Sequence, residues 1–404
     1  MPNIVINSVP FATRLRIEAY GAKELIQRDR ARIASMLSGR VTDSAVTLTM
    51  NARKDSPTVD VTDNGIVYTM SVGVGQPPTE YTLLVDTGSA ITWVGAKKKY
   101  NPTSTSHDTG DSVDASYGFG SMSGKLYIDT VTLSPGLVVK KQSIGVARTA
   151  QGIRDVDGII GQCPYPIFHS SLGPVDLTRG TVTGGREVPT VTDNLFSEGI
   201  IPSDSLGIFY APLTKVGETT GEITFGGIDD SKITSEINYV PLTTTPPASF
   251  YWGIDQIVTY GKGISILGNA SGFVDTGATF LFFIADAFNA YKEATGAYKD
   301  STTGLLVITE AQYHALQSLF FHIGSVTYEF TPNAQIWPRA LNSVLKGDSN
   351  KIYLVVVEIP STGGIDGIRF VNGFSWLQRF YSVCDSTNGR IGFATTHYTN
   401  ANTN

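Results

Sequence analysis

Two stretches decide the fold: Leu83-Leu84-Val85-Asp86-Thr87-Gly88-Ser89-Ala90-Ile91 and, 189 residues on, Gly272-Phe273-Val274-Asp275-Thr276-Gly277-Ala278-Thr279-Phe280. Each runs from a short apolar strand into Asp-Thr-Gly, then through a small residue into further apolar ones. An aromatic-rich strand precedes each: Tyr68-Thr69-Met70-Ser71-Val72 in one case, Tyr251-Trp252-Gly253-Ile254 in the other. A bulky pair and a glycine follow each at a distance, Ile159-Ile160-Gly161 and Val371-Asn372-Gly373. A lone Asp-Thr-Gly is usually a turn. Two in matched surroundings read as two copies of one β unit.

The pattern carries a chemistry. An aspartate in a tight turn at a strand end presents its carboxylate at a loop tip, and the glycine permits close backbone approach. The threonine hydroxyl can hydrogen-bond across to the other copy. A pseudo-two-fold that joins the loops sets Asp86 beside Asp275. Like charges so close do not both ionise cheaply, so the pair shares one proton. One carboxyl then takes a proton from water while the other polarises a carbonyl. That is general acid–base hydrolysis of an amide, with no covalent intermediate.

The rest of the chain agrees. Its 404 residues suit two or three domains rather than one. With 41% hydrophobic and 16% charged residues it is not a disordered chain. The 42 Gly, 18 Tyr and 19 Phe, set in short alternating runs, point to a mostly β protein and away from a helical bundle. A net charge of −6 disfavours nucleic acid as a partner. Cys163 and Cys384 cannot form a disulfide framework or a four-ligand zinc site; one bridge between them is open, but the favoured reading is two free, buried thiols. No histidine pair has metal-ligand spacing, so no metal and no cofactor is expected. Ser and Cys nucleophiles lack a histidine in a recognisable setting. No apolar run reaches the length of a membrane span, and no secretory signal is visible at the N-terminus.

Strands are expected at residues 67–74, 81–85, 125–133, 137–146, 221–225, 237–242, 249–260, 326–330 and 352–359. Helices are few: 192–197, 285–295, 309–319 and 375–380. Residues 241–249, with Thr-Thr-Thr-Pro-Pro, form the best internal linker. Residues 1–60 hold nine Lys/Arg and six Asp/Glu, so a basic head precedes an acidic body. Acid weakens such a pairing by protonating the carboxylates. Within the head, residues 22–37 read as a helix. Leu25, Ile26, Ile33, Met36 and Leu37 fall near helical spacing, Arg28, Arg30 and Arg32 lie among them, and Gly39 is the stop.

From these residues the chain resembles the pepsin-like aspartic proteases, and among them the secreted basidiomycete type, over about residues 65–397. The motifs are specific. Asp86-Thr87-Gly88-Ser89 and Asp275-Thr276-Gly277 match the two catalytic loops. Trp93 matches the aromatic after the first loop, and residues 117–124, Tyr-Gly-Phe-Gly-Ser-Met-Ser-Gly, match the flap hairpin. Asp157-Gly158-Ile159-Ile160-Gly161 matches the apolar–apolar–Gly element of the first lobe. Residues 379–385 and 389–394 match the C-terminal end.

The resemblance implies a mostly β, bilobal, double β-barrel fold with pseudo-two-fold symmetry. Residues 1–57 would be a basic prosegment, 58–241 the first lobe and 242–404 the second. The activity implied is an acid-active aspartic endopeptidase made as a zymogen, with Asp86 and Asp275 as its dyad. Thr87 and Thr276 would cross-brace the loops, Ser89 would hold the outer oxygen of Asp86, and Gly88 and Gly277 would bring backbone amides to the inner oxygens. Tyr117, with Gly118 and Phe119 in the flap, would close over substrate and hydrogen-bond near Trp93. Leu84, Phe273 and Ile159 would line pockets that favour bulky hydrophobic side chains. The partners implied are polypeptide substrates and pepstatin-type inhibitors, the state a monomer, and the location secreted, with the vacuole as alternative. Lys54 or a neighbouring base would meet the dyad before activation.

The chain departs from the family pattern in several places. Ala278 stands where Thr or Ser is usual, which removes a hydrogen bond favouring the charged form of Asp275 and shifts the activity optimum to less acidic pH. Phe119 stands where the flap tip usually has a smaller residue. Asn372 replaces an apolar residue. Residues 162–172 look inserted, either as a substrate-groove loop or as a translated intron, the second being favoured. Asn269-Ala270-Ser271 is the one N-glycosylation sequon, expected buried because it lies close before Asp275. The rival from another class is a catalytically silent pepsin-like binding or inhibitor protein. Such relatives typically lose an Asp or a bracing residue, and here both loops are intact.

Overall fold

The structure is a computed structural model that describes residues 7–15, 21–38, 66–117, 120–153, 156–162, 181–182, 188–212, 221–359 and 367–403. Strands dominate, and the described helices are short apart from Ala22–Ser38 and Ala285–Thr295.

The two Asp-Thr-Gly segments sit in the same local architecture. Thr79–Asp86 pairs antiparallel with Ile66–Val74 and parallel with Gly158–Gly161, where Asp86 faces Gly161. Gly158–Gly161 pairs antiparallel with Trp93–Val94, which pairs parallel with Leu137–Gln151. In the second half, Ile264–Val274 pairs antiparallel with Gly253–Tyr260 and parallel with Phe370–Asn372. Phe370–Asn372 pairs antiparallel with Leu281–Phe283, which pairs parallel with Val356–Glu358. The order of directions is identical. The glycine that follows each bulky pair explains itself here. A Cβ on Gly161 would come within 2.6 Å of the Ser89 carbonyl oxygen, and one on Gly373 within 2.6 Å of the Ala278 carbonyl oxygen. Each Asp-Thr-Gly loop is thus pressed onto its neighbour at the same point, and only glycine leaves the room.

The fourteen-stranded sheet joins the two halves. Ser205–Tyr210 pairs with Gly221–Phe225 on one side and with Phe380–Asp385 on the other. The seven-stranded sheet belongs to the second half. Behind it Trp376 packs at 4.6 Å from Phe380 and edge-on at 5.1 Å from Phe393, in a core of fully buried aromatics.

Several expected elements shift. Residues 249–260 begin as a 3-10 turn at Ala248–Phe250, and the strand starts at Gly253. The helix expected to 319 stops at Ala315, because Leu319–Ile323 is drawn into a strand beside Gly253–Tyr260. Residues 352–359 split into Ile352–Tyr353 and Val356–Glu358, which join different sheets. The segment 241–249 is no free linker: Thr243 is buried and donates to Asp255 at 2.9 Å. Asn269 is exposed rather than buried, because six residues of extended strand carry it about 20 Å from Asp275.

The head contributes a strand that the sequence reading passed over. Asn7–Leu15 pairs antiparallel with Gly221–Phe225, then with Ile66–Val74, and so completes the large sheet between them. Ala22–Ser38 follows as a helix, as its spacing predicts. Gly39 lies outside the described residues, as does Cys163; Cys384 is buried.

Candidate active site

Both strand ends deliver their aspartates to one point. Asp86 and Asp275 have no exposed surface. Thr87 and Thr276 stand behind them, each donating its backbone N–H to the other's hydroxyl, at 3.1 Å from Thr87 and 3.0 Å from Thr276. The two hydroxyls lie 3.3 Å apart, and Thr276 Oγ1 also donates to the Val85 carbonyl at 3.3 Å. This reciprocal brace ties the loops through buried hydrogen bonds. A buried donor that lost its partner would cost about 1–3 kcal/mol. The backbone N–H groups of Gly88 and Gly277 donate to Oδ1 of Asp86 and Asp275, each at 2.9 Å.

One difference breaks the symmetry. Ser89 Oγ donates to Asp86 Oδ2 at 2.5 Å. The matching residue in the second loop is Ala278, buried and without a hydroxyl. The two carboxyls therefore stand in unequal surroundings, as the sequence suggests.

A base does meet the pair, and it is Arg32. Its Nε donates to Asp275 Oδ2 at 2.8 Å and its Nη1 to Asp86 Oδ2 at 3.3 Å. Nη2 donates to both inner oxygens, at 3.1 Å to Asp275 Oδ1 and closely to Asp86 Oδ1. Burial pulls the guanidinium's proton affinity down, but the charges and hydrogen bonds of Asp275 and Asp86 outweigh it and hold it well above its usual value. The expected partner is Lys54 or a neighbouring base, and Lys54 lies outside the described residues. The selection is helical. Ala22, Leu25, Ile26, Arg28, Asp29, Arg32, Ile33 and Met36 form the buried stripe of the head helix. Three charged residues within an otherwise apolar stripe were the signal that could have identified Arg32. A second contact accompanies it, with Asp29 Oδ2 accepting from the Thr279 backbone N–H at 2.8 Å.

Tyr117 packs against Trp93. Trp93 Nε1 donates to Tyr117 Oη at 2.8 Å, and the rings stack at 6.3 Å. Burial, with Asp86 adding, pushes the Tyr117 hydroxyl up, so it stays protonated. Gly118 and Phe119 lie outside the described residues. Leu84 and Ile159 pack with Trp93 and Tyr117 in one apolar cluster. Phe273 is separate from them, stacked on Tyr251 at 4.8 Å.

Asn372 has a partner that makes its polarity useful. Its side-chain amide and that of Gln256 bond each other reciprocally, at 3.0 and 3.4 Å, both residues being buried. Of the inserted stretch only Gln162 is described, and the rest of 163–172 lies outside the described residues. Gln162 donates its backbone N–H to the Asp86 carbonyl at 2.7 Å and accepts from Trp252 Nε1 at 3.1 Å. Among the described residues no group of His, Cys, Asp or Glu could hold a metal ion, and no helix is long and apolar enough to cross a membrane.

The chain is similar to known proteins. The family model described as eukaryotic aspartyl protease matches residues 67–396. Polyporopepsin of Irpex lacteus is 51% identical over 348 residues, covering 86% of this chain and 99% of that protein. Pepsin A of Suncus murinus is 27% identical over 360 residues, covering 84% of this chain and 83% of that one. The crystal structure of the aspartic proteinase from Irpex lacteus superposes with a TM-score of 0.80 at 44% identity, covering 99% of this chain and all of that one. Two braced Asp-Thr-Gly loops in a bilobal β fold and a family match over most of the length lead to one conclusion: this chain belongs to the eukaryotic aspartyl proteases and is an aspartic-type endopeptidase.

Proposed function

We propose that the chain is the precursor of an acid-active, secreted and monomeric endopeptidase, with residues 1–57 as an inhibitory prosegment and lobes at 58–241 and 242–404. Asp86 and Asp275 form the dyad. With the head gone, a water takes the place of the Arg32 guanidinium. One carboxylate removes its proton as it attacks the scissile carbonyl, and the other carboxyl, protonated, donates to the carbonyl oxygen. Sharing one proton between close carboxyls is the behaviour for which aspartic proteases are themselves the standing example. Thr87 and Thr276 fix the spacing, Gly88 and Gly277 orient the inner oxygens, and Ser89 holds the outer oxygen of Asp86. Tyr117, positioned by Trp93 and flanked by Gly118 and Phe119, closes over the substrate. Leu84, Ile159 and Phe273 offer apolar walls to bulky hydrophobic side chains beside the cut.

The observation that carries this reading is the contact of Arg32 with both carboxylates. A single guanidinium can bridge two acids only if they converge on one small volume, and a bridge buried by the head's own helix leaves no room for substrate. Acid protonates the carboxylates and removes the charges that hold the bridge.

The test uses the full chain and denatured globin across pH 3–7, with and without pepstatin, beside Asp86→Asn. The expected result is acid activity abolished by pepstatin and by the substitution, with loss of the N-terminal segment on acidification. A well-folded chain that stays inactive at every pH would sink the proposal.

A further inference from the structure

The head helix carries a carboxylate into the cleft along with Arg32. Asp29 has no exposed surface, and its Oδ2 takes the Thr279 backbone N–H at 2.8 Å. Among the described residues its Oδ1 has no hydrogen-bond partner. A carboxylate held comfortably in its charged form accepts two or three such bonds, and this one accepts a single bond. The charged and titratable groups that face it are Arg28 and Arg32 on its own helix, Asp275 on the second loop, and Tyr68 on the strand Ile66–Val74. Arg28 and Arg32 attract the carboxylate and Asp275 repels it. Tyr68 brings no charge, since burial first, then Tyr210 and Asp29, hold its hydroxyl protonated.

We propose that Asp29 is a counterweight to the Arg32 lock: ionised at neutral pH, it weakens the docking of the head, and on taking up a proton it tightens that docking while acid begins to loosen the grip of the dyad on Arg32. This rests on reading residues 1–57 as a prosegment.

Burial, opposed by Arg28 and aided by Asp275, pushes the docked Asp29 carboxyl up to about 6 from an ordinary 3.8. A released head in water returns to the ordinary value. The docked head therefore binds this proton more tightly, and docking gains strength as pH falls from about 6 to about 4. The Arg32 bridge has the opposite sign, because it needs ionised carboxylates. The two dependences therefore run in opposite directions as the medium acidifies. Below about pH 4 Asp29 is protonated in either state and adds no further tightening against the loosening of the bridge by acid. The device holds the head through mild acid and lets it go in strong acid.

Hydrogen exchange of residues 22–38 in the full chain, followed by mass spectrometry from pH 7.5 to 4.5, tests this. The strand Phe380–Asp385 serves as the folding control. Asp29→Asn keeps an acceptor for the Thr279 amide and removes the charge. Exchange of the helix in Asp29→Asn is expected to be about 100-fold slower than in the unsubstituted chain at pH 7.5, the gap closing as pH approaches about 4. Should Asp29→Asn disturb the control strand, Asp29→Ser replaces it with the same expected direction. Equal or faster exchange at pH 7.5 with the control strand intact overturns the counterweight. Arg32→Gln in the same experiment separates the underlying reading: if it leaves helix protection unchanged, the prosegment lock fails as well.

Discussion

Nη2 of Arg32 stands between Oδ1 of Asp86 and Oδ1 of Asp275, so one nitrogen of the head spans two carboxylates that come from opposite halves of the chain. Only a planar, multi-donor group can also reach both outer oxygens, as Nε and Nη1 do here. An ammonium is a point charge and cannot.

That geometry predicts a graded effect. Arg32→Lys should weaken the lock and Arg32→Gln should nearly abolish it, since removing one partner of a buried ion pair costs about 3–5 kcal/mol. Conversion of the full chain at pH 5, followed as the appearance of the shortened chain, should be more than tenfold faster in Arg32→Gln. An unchanged conversion rate would refute the lock.

The threonine brace predicts a loss on both sides. Thr87→Val leaves the Thr276 backbone N–H without its 3.0 Å acceptor, at a cost of about 1–3 kcal/mol. The melting temperature should fall and kcat should fall with it, KM changing less. Thr87→Ser, which keeps the hydroxyl, should recover most of both. Equal loss in the serine variant would mean that packing of the methyl group, and not the hydrogen bond, is what matters.

Ala278 predicts a shift in pH dependence. Ser89 Oγ holds Asp86 Oδ2 at 2.5 Å, and Ala278 offers Asp275 nothing equivalent. Ala278→Thr supplies a donor that favours the charged form, so under the proposed mechanism the activity optimum should move to lower pH. A pH–rate profile that stays in place, or moves to higher pH, contradicts the argument.

Asp204 predicts acid-favoured stability. Burial first, and then the neighbouring Asp193, pushes its carboxyl up to about 7. A group raised on folding contributes stability that is complete below its ordinary value and lost as pH rises through the folded one, here between about 4 and 7. Asp204→Asn should therefore gain about 2 kcal/mol at pH 8, a figure reduced for the group's partial exposure, and little at pH 3.5. Denaturant melts at the two pH values check it. A gain at pH 3.5 that matches the one at pH 8 would remove the titration from the account.

Much of this was legible in the residues because it is local and duplicated. Asp-Thr-Gly after an apolar strand, and a bulky pair before Gly161 or Gly373, are short patterns whose physical demands appear within a few residues. The strands around them followed from alternation. Where the reading slipped, a distant partner decided. Leu319 left its expected helix for a strand beside Gly253–Tyr260. Asn372 departs from the apolar pattern because its amide partner, Gln256, lies 116 residues away in the chain.

The sequence by itself determined that two aspartates sit in equivalent braced turns, that Ser89 has no counterpart at Ala278, and that a basic helix precedes an acidic body. Only the tertiary structure decided that Arg32 bridges Asp86 and Asp275, that Asn7–Leu15 completes the sheet between Gly221–Phe225 and Ile66–Val74, and that Asp29 lies buried against Thr279. The physical reason is separation along the chain. A turn or a helical stripe is set by neighbours a few residues away, whereas a strand edge or a buried charge is satisfied by whichever group the fold carries to it, 54 residues away for Asp86 and 243 for Asp275 as seen from Arg32.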